Sequence, residues 1–142
     1  MAKTYFGSAL RAGSSTLTDA VDGGDVLMSQ SLTITQNSTT AVSATFTLPA
    51  SAQITDFIVD VLTAYDSVTS ATLTVGTAAA GTQYITTVNA KTAGRAAPTL
   101  SAAQLLAMSS IGTNTSVVAT VTPVGATSAG LVRVTVKYAQ KV

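Results

Sequence analysis

From about Ser31 onward the chain alternates apolar and polar side chains in short runs, the two-residue period of a strand with one buried face. Leu32 and Ile34 alternate with Ser31, Thr33 and Thr35, and Val42, Ala44, Phe46 and Leu48 share one parity against Thr45 and Thr47. Pro49 closes that second run, because it cannot donate to a ladder. The longest run, Ile54 to Tyr65, sets Phe57, Val59 and Val61 on one face and Asp56, Ile58, Asp60 and Leu62 on the other. Asp66-Ser67 reads as a turn. Thr72 to Val75 returns with Leu73 and Val75 inward, and Thr82 to Val88 follows a small-residue loop between Gly76 and Gly81. Ser116 to Thr122 and Leu131 to Ala139 complete the set, joined by a Pro123–Gly130 turn region, with Val132, Val134, Val136 and Tyr138 lining one face of the last strand.

About seven short strands punctuated by Gly, Pro and Asp predict an all-β fold, a β-sandwich or jelly roll in a single domain over 26–142. One segment departs from the period. Ser101-Ala-Ala-Gln104 has capping-box spacing, Leu105, Leu106 and Met108 follow, and Gly112 can stop the turn, so a short helix is expected at about 102–109. Residues 1–25 lack periodicity and are rich in Gly, Ser, Thr and Asp, and read as an extended N-terminal arm outside the core. No internal repeat or block of like charge marks a second domain.

Composition sharpens the picture by what it removes. The chain has 142 residues, no Cys, His or Trp, and no Glu. That length suits one domain able to bury roughly 68% of its unfolded surface without metal or disulfide staples. Leu, Ile, Val and Phe make up about a quarter of it, above the level at which disorder sets in. Without Cys there is no disulfide, thiolate nucleophile or thiolate metal site, and without His no ordinary base near neutrality, so no cofactor is expected and most enzyme mechanisms fall away. Only 9% of residues are charged and the net charge is +1, with mean hydropathy +0.44. A surface tiled with Ser, Thr and Ala repels itself little, which suits a subunit covered by its own copies or by another protein.

Membranes and nucleic acids are both disfavoured. The apolar runs at Phe57–Leu62 and Val117–Val121 fall far short of the ~20 residues of a spanning helix, and aromatics are too few for the girdles of an outer-membrane barrel. The N-terminus has no continuous apolar stretch before Arg11, so no signal peptide is expected, and Asn37-Ser-Thr39 and Asn114-Thr-Ser116 read as chance glycosylation matches in a chain made in a cytoplasm. Seven basic residues are dispersed among six acids, and the stripe Arg133, Lys137, Lys141 lacks interleaved aromatics for stacking on bases.

The candidate chemistry is sparse. Gly76-Thr-Ala-Ala-Ala-Gly81 has the glycine spacing of a phosphate loop, but Thr82 and Gln83 stand where Lys and Ser/Thr are needed, so it reads as a connection between strands. Asp56 and Asp60 share a face about 13 Å apart, beyond the roughly 5–9.5 Å of a glycosidase pair. Arg133, Lys137 and Lys141 repeat the same four-residue spacing on the last strand, so antiparallel pairing of the two strands would make cross-strand ion pairs. An enzyme would need Asp56 or Asp60 to meet another acid or a Lys across a pocket. Asp19, Asp22 and Asp25 around Gly23-Gly24 could gather about a hard cation, but without EF-hand spacing or a bidentate Glu they read as a solvated turn. For a sugar- or receptor-binding protein the candidate platforms are Tyr65 and Tyr84. In the arm, Tyr5, Phe6, Leu10 and Arg11 place large apolar groups and a guanidinium on a segment with little periodic structure of its own; they read as a tail folded back over the domain or, since aromatic and Arg residues dominate interface hot spots, as an anchor for a partner.

Between Thr45 and Arg95 the chain carries Leu48-Pro-Ala50, Ile54-Thr-Asp56, Val59-Asp-Val61, Ala71-Thr-Leu-Thr-Val-Gly-Thr-Ala78, Thr82-Gln-Tyr84 and Lys91-Thr-Ala-Gly-Arg95. This run, about a third of the chain, resembles small β-rich virion proteins of tailed bacteriophages, and no catalytic residue comes with the likeness. The resemblance implies a capsid decoration or cement protein, commonly a jelly-roll-like homotrimer seated on the major capsid protein of the virion. Tail, spike and head-fibre components of similar composition, which bind a host receptor or glycan, form the alternative.

Overall fold

A computed structural model describes residues 25–141. Eight strands and one helix follow in the order β1 (Asp25–Thr35), β2 (Val42–Thr47), β3 (Gln53–Thr63), β4 (Ser70–Gly76), β5 (Ile85–Asn89), β6 (Gly94–Ala96), α1 (Ala102–Met108), β7 (Ser116–Val124) and β8 (Leu131–Lys141). They form two four-stranded sheets, β1-β8-β3-β6 and β2-β7-β4-β5, and every pairing is antiparallel. That strand order is the jelly-roll arrangement, two sheets packed face to face around one core. The expected all-β sandwich with one short helix is thereby found.

The inward parity of each strand builds the core. Val132, Val134, Val136 and Tyr138 are all buried, as are Phe57, Val59 and Val61 opposite them and Phe46, Leu73, Val75, Val117, Ala119 and Val121 from the second sheet. β-branched Val dominates these positions, a shape that packs well on a pleated surface and resists helix. At the β1–β2 side of the sandwich the Gln30 carboxamide crosses between sheets, donating to the Thr47 carbonyl at 3.0 Å and to the Tyr138 hydroxyl at 3.2 Å.

Several boundaries differ from the sequence reading. β1 opens at Asp25, a residue assigned to the arm, and extends well before Leu32. Its first half shows little alternation because both of its faces are largely exposed. β3 ends at Thr63, so Tyr65 lies beyond it in a loop. A register shift between Ile54 and Asp56 inserts Thr55 as an extra residue, which lets Ile54 and Phe57 both face inward despite their unequal parity. Pro123 lies inside β7, opposite Ala71, and not in a turn. β2 reaches only as far as Val121 along β7, so on that side of Pro123 no ladder bond is forfeited. β6 is three residues long and carries no periodic signal of its own.

The helix forms where its cap predicts. Ser101 Oγ accepts from Gln104 N at 3.3 Å, and Gln104 Oε1 accepts from Ser101 N at 2.8 Å, the reciprocal capping box. The same Gln104 carboxamide donates to Thr86 Oγ1 at 2.8 Å, holding the helix against β5. Among the described residues no helix is long and apolar enough to cross a membrane.

Candidate functional site

The two outer faces of the sandwich differ sharply in charge. β2, β4, β5 and β7 contain no charged residue, and their outward positions carry Ser43, Thr45, Ser70, Thr72, Thr74 and Thr120. All the strand charges belong to the other sheet: Asp25 on β1, Asp56 and Asp60 on β3, Arg95 on β6, and Arg133, Lys137 and Lys141 on β8. Register then dictates the pairs. Asp56 lies opposite Lys137 and Asp60 opposite Arg133, as the shared four-residue spacing predicts for antiparallel neighbours.

Asp60 is the hub. Arg133 Nη2 reaches Asp60 Oδ2 at 2.8 Å from one side, and from the other Arg95 Nε reaches Oδ1 at 2.8 Å. The carboxylate is 11% exposed, whereas the Arg95 and Arg133 side chains are 67% and 45% exposed. Hydrogen bonds from Arg95 and then Arg133 outweigh desolvation and hold the Asp60 carboxyl down at about 2. Arg95 is raised in return, chiefly by the hydrogen bond to Asp60. Two guanidiniums on one carboxylate leave a surplus positive charge on this face. The looser Lys137–Asp56 contact, 3.5 Å between half-exposed partners, contributes little. Ser31 and Thr135 hydroxyls meet at 2.6 Å in the row between these pairs.

Arg95 escapes sequence reading because β6 is too short to announce itself. The only cue is Gly94, whose φ of +126° favours glycine. An open cleft of about 360 Å³ adjoins it, lined by Thr87, Asn89, Thr92, Arg95 and Thr99 among others. Among the described residues no carboxylate lines the cleft.

Tyr5, Phe6, Leu10, Arg11, Asp19 and Asp22 lie outside the described residues. Asp25 sits in β1 opposite Lys141, within a strand and not a turn. Among the described residues no three acidic or metal-ligating side chains converge. Tyr65 and Tyr84, the candidate sugar platforms, are 2% and 3% exposed and belong to the core, Tyr84 packing on Phe57 at 6.1 Å between ring centroids. Burial raises both phenols above their usual range. They face inward because the loop residues that carry them are drawn into the ends of the sandwich, where Tyr84 N bonds Val75 O and Tyr65 N bonds Ala90 O. The Gly76–Gly81 segment is a connection between β4 and β5, closed by Gln83 Oε1 accepting from Thr77 N and by Ala80 N donating to Thr120 Oγ1.

Asp66, in the turn expected between β3 and β4, also organises a second loop. Asp66 accepts from Thr127 Oγ1, Ser128 N, Ser128 Oγ and Ala129 N, which tie the β7–β8 connection to the β3–β4 connection. These bonds, the Ser128 hydroxyl first, hold its carboxyl far below the usual range.

No family model matches the sequence, and no curated protein matches it. The chain is similar in structure to a chain of the cyanophage Pam1 capsid asymmetric unit, at 23% identity and a TM-score of 0.55 over 97% of each chain. At that identity the likeness shows a shared fold.

Proposed function

We propose that this chain is a structural component of a bacteriophage capsid, a non-enzymatic decoration or cement protein that binds the major capsid protein and reinforces the shell. The observation that carries this reading is the end-to-end jelly-roll likeness to a chain of a capsid asymmetric unit. The virion-like run from Thr45 to Arg95 and the scarcity of charge support it independently. A cement subunit needs a stiff core, a surface that packs without desolvating many ions, and contacts repeated by symmetry. It needs no chemistry, in keeping with a chain that lacks Cys and His.

In this reading copies group as a homotrimer, and Tyr5, Phe6, Leu10 and Arg11 of the arm grip the shell. A receptor- or glycan-binding role loses its proposed contact residues, since Tyr65 and Tyr84 are buried.

Electron microscopy of particles assembled with and without the protein tests the reading: added density is expected on the capsid surface. Density confined to the tail, or none, overturns it. Deleting residues 1–12 is expected to abolish binding to empty capsids while leaving the thermal transition of the domain unchanged. Unchanged binding overturns the role of the arm.

A further inference from the structure

β1 stands at the edge of its sheet, and nothing among the described residues pairs with its outer side. Edges of this kind template pairing with another strand, and proteins usually blunt them by brevity, proline, bulges or inward charge. Two of the other edges are blunted by brevity or irregularity, β6 with three residues and β5 with five and a register shift, while β2, with six, is little more than half as long as β1. β1 has none of these guards. It runs for eleven residues in unbroken register with β8, contains no proline, and carries its only charge, Asp25, at its first position. Leu27 is 74% exposed and Met28 37% exposed along it.

We propose that β1 is an assembly edge whose occupant is β1 of a second copy, joined antiparallel about a two-fold axis at Gln30. The strand is self-complementary in that register. Val26 falls opposite Ile34 and Met28 opposite Leu32 on the inner face, and Leu27 opposite Thr33 and Ser29 opposite Ser31 on the outer face. Asp25 falls opposite Thr35, so no like charges meet. Sliding by one residue would set inner positions against outer ones. Eleven residues pairing in this way exchange about ten backbone hydrogen bonds, the number found in an ordinary protein interface. The two β1-containing sheets become one continuous sheet of eight strands. A two-fold contact is isologous and closes on itself, so it yields a dimer, or joins pairs of trimers where three-fold grouping also holds. The inference does not depend on the capsid reading, and its test uses no capsid.

The full chain is expected to sediment as a dimer or as another even assembly. A solution that stays monomeric at every concentration, or purely trimeric, overturns the inference, whatever else covers the edge. Register is tested by disulfide trapping, which is clean because the chain has no cysteine of its own. Ser29→Cys and Ser31→Cys proteins, mixed and oxidised, are expected to cross-link to each other, since directly opposed residues lie about 4.5–5.5 Å apart. Each variant alone is expected to cross-link at least tenfold less, its cysteines then sitting diagonally about 7–8 Å apart. Equal cross-linking in all three samples, or no more than a Thr45→Cys control on β2 gives, overturns the register. A Ser29→Asp/Ser31→Asp double variant sets carboxylates opposite one another across the axis and is expected to weaken association at least tenfold. Far-UV circular dichroism shows whether that variant remains folded. Undiminished association of the folded variant overturns the proposal.

Discussion

Asp60 and Asp66 are both carboxylates held far below their usual titration, by different means. Asp60 is flanked by two guanidiniums, and Asp66 is wrapped by hydroxyl and amide donors of a single loop. Beside Asp66, Gly130 lies so close to Tyr65 that a Cβ there would sit 2.6 Å from the ring. Gly130→Ala is therefore expected to destabilise the domain by about 1–3 kcal/mol through overpacking, read as a lower urea midpoint. The pairs Asp60–Arg133 and Asp56–Lys137 were legible in the sequence because strand period and charge spacing coincide. Arg95 was not, since a three-residue strand offers no period. The burial of Tyr65 and Tyr84 was missed as well: both read as lying at or near the ends of strand runs, whereas they lie just outside β3 and β5, where their direction is set by the sandwich ends they cap.

At the scale of elements, strands whose two faces differ in burial declare themselves, and the others do not. β8 was read almost to its end because Val132, Val134 and Val136 repeat at period two on a buried face. The first half of β1 was missed because both faces there are largely exposed. The bulge at Thr55 is likewise invisible to a parity argument, since it breaks the parity on which the argument depends. α1 was legible from its cap, with Ser101 and Gln104 bonding reciprocally as their spacing requires. Ser101→Ala removes one half of that exchange and is expected to cost about 1 kcal/mol, measured by urea unfolding with an unchanged slope. A cost near zero would mean that the Gln104–Thr86 bond alone holds the helix in place.

For the whole molecule the consequence of its composition is a simple pH profile. The sequence contains no His or Cys, so almost nothing titrates between pH 5 and pH 8. Asp60 and Asp66 have folded-state values below their unfolded ones, so the unfolded chain takes up protons first as pH falls. Their stabilisation is fully present above the unfolded carboxylate value near 3.8; that of Asp60 is lost as pH falls through about 2, and that of Asp66 at still lower pH. The thermal midpoint is expected to be level from pH 5 to pH 8 and to fall below pH 4. A decline already evident at pH 6 would show that some other group governs acid stability.

The unequal sharing of charge between the two sheets has a further consequence for any assembly built from this fold. Contacts made through the β1-β8-β3-β6 face engage ions and weaken as added electrolyte shortens the Debye length. Contacts made through the hydroxyl-bearing β2-β7-β4-β5 face have no ionic attraction to screen. One subunit thus presents a brine-sensitive side and a brine-indifferent side, and raising the salt loosens the first while leaving the second joined.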